Sequence, residues 1–328
     1  MLKGAGTLLL MALLTAFQAI AGERDTAADL PLGDRHVSPE PRPGHVFACR
    51  HTFNSGADII GGWLHGDTWT PDGKPTVSGQ LMWPFALFHL EFDRDAMIVT
   101  SNGLPIDVPT GSFPMASDDP ARFFDLEPYA IQARRLRFAI PRAPFPAEAP
   151  NCLPGGMIGF TITGVAFYGA LDEGGRDAQA HHVLDGCGGR PQREGHYHYY
   201  GASPCLPGSD GNVLVGWALD GFPILGMRDA TGRVLTNADL DACHGRREYV
   251  QIGVMIYGYA YRLTREFPYT LGCFTGDVSG ATLHAIRLGI GGSPQPVQQS
   301  GVVATGAATS TAAATGHTYP QQPYNYVP

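Results

Sequence analysis

His196, His198 and Tyr200 are spaced for shared chemistry. In an extended strand residues two apart lie on one face, so these three line one side while Tyr197 and Tyr199 line the other. Imidazoles at i and i+2 form a ready metal-binding pair, and one more imidazole or a carboxylate completes a site of the copper or zinc type. His181, His182, Asp185, His244 and Asp241 are candidates for that third position. A tyrosine-rich strand with hydrogen-bonded histidines is also what a half-buried β-structure presents.

The elements that must position these residues are short and punctuated by Gly and Pro, which suits strands joined by turns. The strand candidates are 80–92, 97–100, 131–140, 157–162, 213–219 and 257–264, and Asn237 reads as the N-cap of a short helix. A duplication runs through the middle of the chain. Ile158-Gly159-Phe160 lies over Val215-Gly216-Trp217, and Gly164, Gly169, Asp172 and Arg176 fall on Gly221, Gly226, Asp229 and Arg233 at the same spacing. One residue of slippage later, Asp185-Gly-Cys187-Gly-Gly-Arg190 falls on Asp241-Ala-Cys243-His-Gly-Arg246, and the units continue to Tyr197–Tyr200 and Tyr257–Ala260. Two units, 158–205 and 215–273, are each too small to bury their apolar faces alone. They are expected to pack about a pseudo-twofold axis with equivalent residues converging near it. The expected class is mainly β: one domain of two β-rich repeats packed with an N-terminal β segment, sandwich- or barrel-like.

Each unit closes on a cysteine, Cys205 or Cys273. If each has its own bridge, Cys187 pairs with Cys205 and Cys243 with Cys273, leaving Cys49 with Cys152 to tie the N-terminal strands to the repeats. Such closures are worth about 3 kcal/mol each in a chain-entropy account. All six cysteines lie after an N-terminal stretch with Lys3, an apolar run from Leu8 to Ile20 and a small-residue Ala19-Ile20-Ala21 end. That is the layout of a secretory signal peptide over 1–21, and its apolar core falls short of the ~20 residues that span a bilayer. The expected location is therefore periplasmic or secreted, where disulfides persist. Residues 22–46 and the 277–328 tail, rich in Gly, Ala, Thr, Gln and Pro at its end, read as flexible flanks of a domain over 47–276. The formal charge of −8 without a basic patch argues against nucleic acid, and no later segment is apolar for long enough to span a membrane.

The runs Gly169-Ala-Leu-Asp-Glu-Gly-Gly-Arg-Asp-Ala-Gln-Ala-His181, Gly195-His-Tyr-His-Tyr-Tyr200, Gly216-Trp-Ala-Leu-Asp-Gly-Phe-Pro-Ile224 and Glu266-Phe-Pro-Tyr-Thr-Leu-Gly-Cys-Phe-Thr-Gly276 resemble the YHYH domain family. The resemblance covers most of 47–276 and implies an exported protein, naming a fold family without naming a reaction. The chain also departs from the pattern. Where the family has Tyr-His-Tyr-His in each copy, this chain has Tyr197-His198-Tyr199-Tyr200 and Tyr257-Gly258-Tyr259-Ala260, and Arg190 and Arg246 stand where a histidine is expected. Of the expected histidines His181, His198 and His244 remain; with Asp185 or Asp241 they meet the three-ligand minimum for one ion. His196 restores a pair only by a shift of roughly 7 Å along the strand, and Arg cannot lose its proton to act as a ligand. Gly258 and Ala260 delete two imidazole volumes. The expected result is a pocket lined by Tyr197, Tyr199 and His196, with Arg190 and Arg246 favouring a small anionic ligand.

Three function classes follow: a metal-handling protein, a structural or small-ligand-binding member that has lost the metal equipment, and a histidine-dependent hydrolase. The hydrolase has least support, because no Gly-x-Ser-x-Gly, His-Glu-x-x-His or phosphate loop is present.

Overall fold

The computed structural model describes residues 29–53 and 61–294. The signal-peptide expectation and residues 295–328 of the expected tail lie outside the described residues.

After six two-residue strands between residues 30 and 77, a three-stranded antiparallel sheet forms from β1 (Phe88–Phe92), β2 (Ala96–Ser101) and β3 (Leu136–Pro141). Burial alternates along β2 and β3, as expected for a sheet with one covered face. The duplicated segment follows as β4 (Met157–Thr161), β5 (Ala166–Tyr168), β6 (Gly189–Pro191), β7 (Tyr197–Tyr199), β8 (Leu214–Ala218), β9 (Pro223–Leu225), β10 (Gly245–Ile252) and β11 (Val254–Arg262). These eight strands make one sheet in the order β6-β7-β5-β4-β8-β9-β11-β10. The order reads as two mirrored halves meeting at β4 and β8. The two central strands pair antiparallel with Phe160 opposite Trp217, the two residues that the repeat equates.

That centre is buried from both sides. All five residues of β4 are buried, and Phe88 and Phe138 of the three-stranded sheet set their rings 5.9 and 5.8 Å from Phe160. A Cβ on Gly159 would meet Trp217 O at 2.7 Å and one on Gly216 would meet Phe160 O at 2.1 Å, so the close approach of the two halves requires glycine at both positions. The packing is sandwich-like at this point, and the eight-stranded sheet ends on two edges, β6 and β10, without closing into a barrel.

Ladder registers correct the repeat alignment at its far end. Gly189 stands opposite Tyr199 and Arg190 opposite His198, whereas Gly245 stands opposite Tyr261 and Arg246 opposite Ala260. Tyr197–Tyr200 therefore corresponds to Tyr259–Arg262, two residues beyond the Tyr257–Ala260 match read from the sequence. The glycines agree: a Cβ on Gly189 would meet Tyr197 Oη at 2.2 Å, and one on Gly245 would meet Tyr259 Oη at 2.3 Å.

The three disulfides are Cys49–Cys152, Cys187–Cys205 and Cys243–Cys273, with Cα separations of 4.9, 5.2 and 4.5 Å. Residues 29–46, expected to be flexible, are held by polar contacts that composition does not reveal. Gly33 N donates to Asp177 Oδ2 (2.9 Å), Asp177 N donates to Asp34 Oδ1 (2.9 Å), and Val46 is buried. Among the described residues the α-helices are a single turn α1 (Ala178–His181) and α2 (Gly280–Gly291), the latter inside the expected tail. Ser279 caps α2 by accepting from Thr282 N, and buried Thr282 and Ile286, one helical turn apart, lie on its inner face. Thr282 Oγ1 donates to Ala139 O of β3 (2.5 Å), and a Cβ on Gly289 would meet Leu136 Cδ2 at 2.6 Å. The expected helix at Asn237 is a 3-10 turn over Asn237–Asp239, entered from Thr236, whose N–H donates to Asp239 Oδ2 (3.0 Å).

Candidate functional site

Strand β7 separates two kinds of environment. On one face Tyr197 and Tyr199 are fully buried, their rings 5.6 Å apart. Tyr197 OH donates to Asp185 Oδ2 (2.8 Å), which also accepts from Gly111 N (2.7 Å), while Oδ1 accepts from Cys187 N (2.9 Å) and Gly189 N (3.0 Å). Burial raises the Asp185 carboxyl above its ordinary range against these donors. Asp241 repeats the arrangement, accepting from Cys243 N, Gly245 N and Tyr259 OH at 2.9, 3.0 and 3.0 Å. The Asp-x-Cys-x-Gly segment is thus an Asp-capped turn whose carboxylate is spent on the backbone and one phenol. In Asp185 both oxygens are engaged, whereas in Asp241 all three bonds fall on Oδ1.

The histidines of the expected metal set sit in different surroundings. His181 Nε2 donates to Asp34 (3.0 Å) at the N-terminal segment. His244 has a left-handed backbone (φ 73°) and donates through Nε2 to Thr264 Oγ1 (3.0 Å); burial pushes its pKa down to about 3. His198 belongs to the opposite half of the sheet. Among the described residues no group of three or more His, Cys, Asp or Glu side chains is placed to hold a metal ion. The expected donors His181, His198, His244, Asp185 and Asp241 are thus not gathered into one ligand set.

The other face of β7 carries His198, and Tyr200 follows at its end. His198 stacks on Tyr168 (3.9 Å, 14°) and meets Tyr200 edge-on at 4.9 Å. Its Nδ1 lies 3.1 Å from His196 O, and a carbonyl can only accept, so Nδ1 carries the proton and Nε2 is a lone-pair acceptor. That Nε2 is buried and has no hydrogen-bond partner. Burial holds the His198 pKa well below the ordinary histidine value, so the ring is neutral. Tyr200 OH lies 2.9 Å from His182 Nδ1, and burial pushes His182 down to about 4 and Tyr200 up to about 12. His196 points elsewhere, its Nδ1 3.0 Å from Tyr168 OH.

His182, His198 and Tyr200 line a cleft of about 910 Å³ whose opposite wall is the segment from Phe123 to Tyr129. Arg190 also lines it, and the expectation that this arginine awaits an anion needs correction. Its guanidinium is bonded to Glu127 and lies 3.5 Å from Asp125, so two carboxylates already face one positive charge. Arg246 pairs with Glu248 (2.8 Å) on the far edge strand, and the two arginines do not converge. Tyr197 and Tyr199 do not line the cleft, because they occupy the opposite face of β7. Sequence reading left His182 as one candidate among several. Its partner Tyr200 is eighteen residues away, across the Cys187 turn and the edge strand, where no local spacing rule reaches.

The second half differs at the equivalent positions. At the place of His198 stands Ala260, and at the place of Tyr200 stands Arg262, which is fully buried. Its guanidinium donates to Glu248 Oε1 and Oε2 (2.7 and 2.6 Å), Gly226 O, Arg228 O and Asn212 Oδ1. Gly258 does open space, since a Cβ there would meet nothing within 4 Å. That space belongs to a more apolar groove of about 410 Å³ walled by Phe145, Phe222, Val250, Ile256 and Tyr257.

The fold and site define a disulfide-braced, mainly β protein with one histidine- and tyrosine-lined cleft on a twofold-duplicated sheet. Residues 137–236 match the family model described as YHYH protein, and over that stretch the chain carries the YHYH domain. The match runs from β3 through the whole first half and into the second as far as Thr236. No curated protein and no solved structure matches the chain.

Proposed function

We propose that this is an exported YHYH-domain protein that binds a small polar molecule in the cleft formed by His182, His198 and Tyr200. The observation that carries the reading is the buried, unpartnered Nε2 of His198, fixed as an acceptor by the bond that Nδ1 makes to His196 O. A buried acceptor without a donor costs about 1–3 kcal/mol, which a ligand N–H or O–H recovers. The cleft volume lies within the range typical of small-molecule sites. Export is supported by three closed disulfides, which suit an oxidising compartment, and by the signal-like N-terminus. None of the described helices is long and apolar enough to cross a membrane.

The test is a thermal-shift screen of small polar compounds against the mature chain and against His198→Leu. The expected result is at least one compound that raises the melting temperature of the parent and not of the variant. A screen in which every stabilising compound acts equally on both proteins removes the reading. Deletion of residues 1–21 is expected to leave the protein in the cytoplasm, checked by cell fractionation.

A further inference from the structure

The charges around the cleft say what kind of molecule it takes. Its walls carry five carboxylates, Asp125, Glu127, Asp172, Glu173 and Glu194, against three guanidiniums, Arg176, Arg190 and Arg193. The buried part is already balanced by specific pairs. Asp172 Oδ2 accepts from Arg176 Nε (2.9 Å), and its Oδ1 accepts from Gly174 N and Arg176 N (2.8 Å each). Arg190 faces both Asp125 and Glu127. Asp125 and Glu127 together outnumber the single Arg190, and toward the opening Glu173 and Glu194 are opposed by Arg193 alone.

The neutral groups point the same way. His198 offers a lone pair on Nε2, and His182 is held in its neutral form by burial. Tyr200 keeps its phenol proton and uses its hydroxyl on His182. The site therefore combines a buried acceptor with net negative walls, the converse of an anion site. Aromatic side chains complete it. Phe124 and Tyr129 line the wall half-buried and Phe123 is 85% exposed beside them, rings that can cover the apolar part of a ligand or lie against a positive group.

We infer that the cleft selects a small organic cation bearing N–H donors, of the ammonium or guanidinium type, with the carboxylates of Glu127 and Glu194 meeting its charge and His198 Nε2 accepting a hydrogen bond from one of its N–H groups. The inference rests on the binding reading above and deepens it by naming the ligand class. A small anion, which the arginines viewed in sequence suggest, meets net negative walls instead.

The experiment is isothermal titration calorimetry of the full mature chain with three probes: agmatine, sorbitol and succinate. Agmatine is expected to bind saturably, more weakly as sodium chloride rises, and about tenfold more weakly to the Glu127→Gln, Glu194→Gln double variant. Glu127 also bonds the buried Arg190, so folding of the double variant is checked by near-ultraviolet circular dichroism and Glu194→Gln alone is measured beside it. Binding of sorbitol or succinate in place of agmatine, lost in His198→Leu, overturns the cation assignment while the cleft reading stands. Agmatine binding that both variants retain unchanged places the cation elsewhere and overturns the inference. Absence of agmatine binding overturns it as well, and the thermal-shift screen then decides the cleft reading separately.

Discussion

Tyr200 and Arg262 occupy equivalent positions in the two halves of one sheet and do opposite things. Tyr200 stands at an open cleft with its hydroxyl on His182 Nδ1, while Arg262 fills the corresponding space with a guanidinium bonded to five acceptor atoms. Duplication built two similar scaffolds. At the equivalent positions His198 and Tyr200 line the cleft of one half, and Ala260 and the buried Arg262 fill the other.

This asymmetry is measurable. Arg262→Ala strips the half-buried Glu248 of its main partner and leaves two backbone carbonyls without a donor. It is expected to lower the unfolding free energy by about 3–5 kcal/mol in urea titration. Tyr200→Phe, at a position open to the cleft, is expected to cost only about 0.5–1.5 kcal/mol. Equal effects contradict the assignment of one half to structure and the other to binding.

The Asp-capped turns predict matched losses. Tyr197→Phe and Tyr259→Phe each remove one phenol donor from a carboxylate that retains its backbone N–H bonds, so each is expected to cost about 1–3 kcal/mol. Gly189→Ala drives a Cβ into Tyr197 Oη and Gly245→Ala drives one into Tyr259 Oη, so both are expected to destabilise as well. Chemical denaturation of the four variants checks the pairing, and a large effect in one half alone speaks against equivalence.

Acidification is expected to weaken the fold below about pH 6.5. Burial lowers His182 and His196 to about 4 and His244 to about 3, and holds His198 well below its ordinary value. Between those values and the unfolded value of about 6.5 the unfolded chain binds more protons, so stability present above 6.5 is lost as pH falls. Asp177 and Asp220 are raised by burial to about 6 and act in the opposite sense, binding protons in the folded state between about 6 and 3.8. The histidines outnumber them. Urea midpoints measured from pH 7.5 to 4.5 should fall, and a rise would show that the carboxylates dominate.

The cystine between Cys187 and Cys205 closes the Asp185 turn onto the end of β7 region. Replacing both cysteines with serine is expected to cost about 3 kcal/mol and to raise hydrogen exchange at Gly189 and Tyr199, which face each other in the ladder.

Metal analysis of the mature chain incubated with one equivalent of zinc or copper is expected to show less than stoichiometric retention after dialysis. His181→Ala and His244→Ala should leave that value unchanged, because their Nε2 atoms are bonded to Asp34 and Thr264. Stoichiometric retention lost in either variant would require a rearranged site.

Several features were legible before any coordinates because their signals are local or repeated. Short strands between Gly and Pro turns read as a mainly β chain, and a cysteine at each end of a repeated unit read as its own bridge. The equation of Phe160 with Trp217 came from fixed spacing around them, and the two residues pair in the sheet. Residues 29–46 and α2 were misread for a common reason. Their order comes from a few contacts with distant partners, such as Gly33 with Asp177 and Thr282 with Ala139, which composition does not record.

The sequence by itself determined the fold class, the cystine pairing and the YHYH-like stretch that includes the run from Gly195 to Tyr200, because each is written in neighbouring residues or in their repetition. Only the tertiary structure decided the register of the second copy. Tyr257, Tyr259 and Tyr261 alternate with the period of a strand, so a slip of two leaves the pattern intact, and the ladder alone selects Tyr259–Arg262. It also decided the site. Asp125, Glu127, His182 and Tyr200 come from separate segments, and whether Arg190 attracts an anion or is already neutralised depends on which carboxylates the fold sets against it.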